Sequence, residues 1–230
     1  MRNVLPGAKE TLYSKLDVVQ EFYERAAKPF QEVISALREY EEKEMDPLEG
    51  ASPCDEIKKN QDFLNLLGQS CLCLISTVVN DYLQDFAKEK GHPYRPSLLS
   101  FCKRRYLKIK TFYKEELGIN LKELKNTDGL RFDLVLIKEI IDVRNSIQHE
   151  NRFWDLSCWH PESFYKEFPQ SRFSGEPIQT LRVEGGENSD KTITSEISVT
   201  REGLKDAKVR IEAFSKCLEV AWSATPTAMR

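Results

Sequence analysis

The stretch from Ser52 to Gly91 carries a helix-start signal at one end, a stop signal at the other, and the most apolar run of the chain, Leu72 to Val79, between them. Ser52 can accept hydrogen bonds from the first free amides, Pro53 fits the first helical position, and Asp55 and Glu56 suit the positive end of the helix dipole. Gly91 tolerates the left-handed conformation that closes many helices. A long helix with so apolar a centre has to bury much of its circumference. The rest of the chain is therefore expected to pack around it as a helical bundle.

The flanking sequence has the same texture. Residues 8–45 repeat apolar positions at helical spacing: Leu12, Leu16, Val19, Phe22 and Tyr23, then Phe30, Val33, Ile34, Leu37 and Tyr40. Pro29 removes a backbone donor from the middle of that run and is expected to kink or split it. Asp46-Pro47 and Glu49-Gly50-Ala51 read as a loop. His92-Pro93-Tyr94-Arg95-Pro96 reads as a stiff connector, after which Ser97 caps a helix that reaches Leu117 and stops at Gly118. A further helix is expected over 130–150, with Leu134, Ile137, Ile140, Ile141 and Ile147 as its apolar set.

The texture then changes. Residues 151–177 are rich in aromatics, Pro and Gly, and a long structured loop is expected there. Residues 178–183 and 192–199 alternate apolar and polar side chains around Glu184-Gly185-Gly186-Glu187-Asn188, which is a hairpin signal. Thr200 caps a terminal helix over 200–224, with Leu204, Ala207, Ile211, Phe214, Leu218 and Trp222 on its apolar side. Periodicity thus predicts a mainly α fold of about five or six helices, a single domain over 1–230 with a small β-hairpin before the C-terminal helix.

A net charge of −3 sets up no global attraction to nucleic acid, so any RNA contact has to come from a local basic patch. The first residues, Met1 to Pro6, are too short in apolar length for a signal peptide. No run is expected to reach the ~18–20 apolar residues of a membrane span, so a cytoplasmic location is expected. Six scattered cysteines in such a chain are read as free thiols. Cys71-Leu72-Cys73 resembles a metal pair, but Leu72, Leu74 and Ile75 around it favour small core residues, and two further zinc ligands at suitable spacing are not evident. No metal or cofactor is expected. The chain has neither G-x-x-x-x-G-K-[ST] nor G-x-G-x-x-G, and Gly185-Gly186 belongs to a turn.

The chemistry concentrates in Arg144-Asn145-Ser146-Ile147-Gln148-His149. Arginine stays charged at physiological pH, whereas histidine titrates near neutrality. Together they can hold a phosphate and move a proton, the two tasks of metal-free RNA cleavage. On a straight helix Arg144 and His149 are ~140° apart, while Asn145 and His149 share a face. Asn145 is then placed to orient the imidazole or contact RNA, with the long Arg144 side chain swinging round to the same phosphate. A second copy of the helix across a two-fold axis would also let the groups converge. The plain alternative is that Arg and His merely complement the negative end of the helix dipole.

Residues 140–151, Ile-Ile-Asp-Val-Arg-Asn-Ser-Ile-Gln-His-Glu-Asn, resemble the signature of HEPN domains (higher eukaryotes and prokaryotes nucleotide-binding). The resemblance is sharpest over 130–152 and extends loosely to the helices from about residue 10. It implies a small helical bundle, usually dimeric, and a metal-independent endoribonuclease of the kind found in toxin–antitoxin or antiphage defence systems. The RNA substrate, a homodimeric partner and a cognate antitoxin or regulatory protein are all implied by that resemblance. Arg144, Asn145 and His149 would be the catalytic set. The family often adds a polar helper from an earlier helix, for which Asn80 and Asp81 are the candidates. Some members are non-catalytic, so a helical module binding RNA, a nucleotide or a partner protein is the alternative reading.

Elsewhere, Lys103-Arg104-Arg105-Tyr106-Leu107-Lys108-Ile109-Lys110 is the strongest basic patch, with Arg104 and Lys108 on one helical face. Arg104, Lys108 and Arg152 are the candidate RNA contacts. A solvated helix face is an equal reading, since Glu115 and Glu116 follow. Tyr106 and Tyr113 either stack bases or pack in the core. Trp154 and Trp159 either line a cleft by stacking or pin the loop. His160 is read as a structural loop histidine and His92 as a connector residue.

Overall fold

A computed structural model describes residues 6–42, 53–92, 104–121, 124, 134–149, 171–173, 178–181, 191–194 and 197–225. The described residues are mainly helical: α1 (Ala8–Glu42), α2 (Pro53–Glu89), α3 (Arg104–Glu116), α4 (Leu134–His149), then β1 (Ile178–Leu181), β2 (Lys191–Thr194) and α5 (Arg201–Ala224). The chain forms two compact units. One comprises Met1–Val19, Cys73–Asn145 and Lys205–Arg230; the other comprises Gln20–Leu72 and Ser146–Leu204.

The first unit is built on the C-terminal half of α2. Ile75, Val79, Tyr82, Leu83 and Phe86 are buried, and so are Leu12 and Leu16 of α1, Tyr113 of α3 and Leu117 just after it, Ile140 and Val143 of α4, and Ile211, Phe214 and Leu218 of α5. Each such apolar side chain contributes about 1.5–3 kcal/mol by leaving water. The buried phenols find partners: Tyr113 donates to the Leu83 carbonyl at 2.8 Å, and Tyr82 donates to the Ser215 carbonyl at 3.4 Å. Tyr113 stacks on Phe86 with 6.3 Å between ring centroids, which resolves the sequence alternative for this tyrosine in favour of the core. Ion pairs Lys15–Asp81, Lys208–Asp17 and Lys90–Glu219 tie the helices at their edges.

α2 ends as its sequence predicts. Gly91 adopts φ 84°, its amide donates to the Lys88 carbonyl, and the His92 amide donates to the Ala87 carbonyl at 2.9 Å. That pair of bonds is the Schellman closure, and only glycine enters it without strain. Gly118 closes α3 similarly at φ 66°, returning the Ile119 amide to the Tyr113 carbonyl. By length and composition α2 is apolar enough to cross a membrane, contrary to the expectation that no run would be. It also supplies buried side chains to both units.

In the second unit, Tyr23, Ala27 and Ile34 of α1, Cys71 and Leu72 of α2, and Phe173, Ile197 and Val199 are buried. α1 runs unbroken through Pro29, so the predicted split does not occur. Pro29 is exposed, and the carbonyl that loses its donor belongs to exposed Arg25, where water can replace the bond. Phe22 and Val33, expected on the apolar face, are 49% and 43% exposed. β1 and β2 pair antiparallel, Ile178 opposite Thr194 and Leu181 opposite Lys191. The turn expected at 184–188 lies outside the described residues, as does the loop expected over 151–177 except for residues 171–173.

The second strand was expected to continue to Val199, but β2 stops at Thr194. Residues 195 and 196 lie outside the described residues; beyond them Ile197 and Val199 bond to α2, while the Ser198 amide donates to the Phe173 carbonyl at 2.9 Å. The Ile197 carbonyl accepts from Asn65 Nδ2 at 2.9 Å and Gln69 Nε2 at 3.1 Å, and the Val199 amide donates to Asn65 Oδ1 at 3.1 Å. Gly68 makes that approach possible, because a Cβ there would sit 2.2 Å from the Val199 carbonyl oxygen. Thr200 caps α5 as predicted, its Oγ1 accepting the Gly203 amide at 3.1 Å. Thr200→Ala is expected to lower stability by about 1 kcal/mol, read from the midpoint of urea unfolding, through loss of that cap.

Cys71 is fully buried, as expected of a core thiol, and burial pushes its pKa from 9.0 to about 11. Cys54 is exposed. Thiol labelling at pH 8 should therefore modify Cys54 in the native protein and reach Cys71 only after denaturant is added. The raised pKa also has a sign. Below pH 9 both states keep the proton, and between about pH 9 and pH 11 only the unfolded thiol releases it, so stability from this group falls as pH rises through that window.

Candidate functional site

α4 forms because its apolar side chains recur every third or fourth residue. Leu136, Ile137, Ile140 and Val143 are buried, which leaves Lys138, Asp142, Arg144 and Asn145 toward the half-exposed side. Lys138 and Asp142, one turn apart, are 3.9 Å from each other. The helix is unbroken from Leu134 to its last residue, His149. Asn145 and His149 are thus one turn apart in sequence on one helix, as the spacing predicts.

Arg144 is half-buried, and its Nη1 donates to Asn145 Oδ1 at 3.0 Å. This bond was not expected. The asparagine's carbonyl oxygen braces the neighbouring guanidinium, and a planar guanidinium held by one edge keeps its other donors in a fixed fork. Within the same unit, burial raises the Cys73 thiol pKa while the Arg144 charge pulls it down, burial prevailing. The arginine therefore lies close enough to α2 for its charge to be felt there. Of His149 only the backbone is described.

The two helper candidates part company. Asp81 Oδ2 is 3.0 Å from Lys15 Nζ, both side chains being over two-fifths exposed, so its carboxylate is engaged in a surface ion pair with α1. Asn80 Oδ1 is buried and has no hydrogen-bond partner among the described residues. A buried acceptor in that state costs about 1–3 kcal/mol until a donor arrives. The sequence could not separate the two, since adjacent helical residues differ by ~100° in direction and nothing local tells which one faces Lys15.

Arg104 and Lys108 lie on α3, with their side chains outside the described residues. Arg152, Trp154, Trp159 and His160 also lie outside them. His92, read as a connector, is half-buried and meets Trp222 edge-on at 6.2 Å between ring centroids. Glu139 was missed by sequence reasoning. It is 5% exposed on the same helix as Arg144, among Leu136, Ile140 and Val143. The available signal was its spacing, three residues from Leu136 and four from Val143, which puts a carboxyl on the buried stripe. Among the described residues, no group of three His, Cys, Asp or Glu side chains is placed to hold a metal ion.

Comparison with known protein families, with characterised proteins and with solved structures returned no match.

Proposed function

We propose that this chain is a metal-independent endoribonuclease of the HEPN type, working as a homodimer in the cytoplasm. The observation that carries the reading is the braced arginine: Arg144 bound to Asn145 on an unbroken helix that ends at His149. The sequence resemblance over 130–152 supplies the chemistry for that arrangement. His149 accepts the proton of a ribose 2′-hydroxyl, and the 2′ oxygen forms a bond to the adjacent phosphorus. The bond from phosphorus to the 5′ oxygen breaks, and that oxygen leaves as a hydroxyl after taking up a proton. Arg144 carries the charge that builds on the non-bridging oxygens. Asn145 holds Arg144 in position for this work.

Two copies would bring two such motifs to one RNA, with Arg104, Lys108 and Arg152 as the phosphate contacts outside the motif. Asn80, whose buried oxygen has no partner among the described residues, is the better of the two helper candidates. A toxin–antitoxin or antiphage role, checked by a cognate antitoxin or regulatory protein, follows from the same resemblance. The test is the chemistry of the products. RNA fragments should carry a 5′-hydroxyl and a 2′,3′-cyclic phosphate, or a 3′-phosphate after its hydrolysis. Fragments with 5′-phosphate ends would contradict 2′-hydroxyl attack.

A further inference from the structure

We draw no further inference here: the strongest candidate, the exposed apolar face of Phe22 and Val33 on α1 and Phe63 and Leu66 on α2, carries nothing because nothing in the structure shows what covers it.

Discussion

Gly68→Ala should destabilise the protein by about 3 kcal/mol, although alanine is the better helix former by about 1 kcal/mol. The new methyl would lie 2.2 Å from the Val199 carbonyl oxygen and 2.9 Å from its Cβ. The nearer of these is backbone and cannot rotate away, so residues 197–199 must retreat from α2. That retreat weakens the bonds from Asn65 and Gln69 to Ile197 and from Val199 to Asn65, each worth about 1 kcal/mol net. It also uncovers Ile197 and Val199, both essentially fully buried. Equilibrium urea unfolding reads the effect directly. A variant as stable as the wild type, or about 1 kcal/mol more stable, would show that the segment does not pack on Gly68.

The second large effect concerns the motif on α4. His149→Ala should lower the rate of RNA cleavage by about 10²–10⁴-fold, the range for loss of a positioned general acid or base. Arg144→Ala should cost a similar factor, since a donor aimed at developing charge contributes on that scale. Arg144→Lys should recover little of it, because an ammonium lacks the planar fork that Asn145 braces from one edge. Asn145→Ala should fall between the wild type and Arg144→Ala: the guanidinium survives but loses its brace. Single-turnover cleavage of a short RNA separates these effects from binding. Equal rates for Arg144→Lys and the wild type would contradict a role that depends on guanidinium geometry.

Much of the helical architecture was legible because its signals are local. Pro53, Gly91, Gly118 and Thr200 mark element ends through backbone chemistry that needs no tertiary partner. The errors came where two partners compete for the same pattern. Ile197 and Val199 continue the alternation of a strand, but the amides of Asn65 and Gln69 on α2 take their backbone groups, and no local rule reveals that. Phe22 follows the helical period yet stands one residue from Tyr23, and the buried face of α1 takes the tyrosine. Pro29 was expected to kink or split α1 because an interior proline removes a backbone donor, whereas the helix continues and the carbonyl left without that donor belongs to exposed Arg25.

At the candidate site the arginine, asparagine and histidine were legible as a spaced motif. The bond between Arg144 and Asn145 was not, because adjacent helical residues do not ordinarily face each other and only the long arginine side chain allows it. Glu139 was hidden by the same stripe that identified the helix. The choice between Asn80 and Asp81 depended on Lys15, whose position relative to α2 sequence spacing does not encode.

Incubation of total cellular RNA with the purified protein in EDTA, beside a His149→Ala variant shown by circular dichroism to be folded, tests the central claim most directly. Cleavage by the wild type and its loss in the variant are expected. Cleavage that survives in His149→Ala, or that appears only when Mg²⁺ is restored, would contradict that claim.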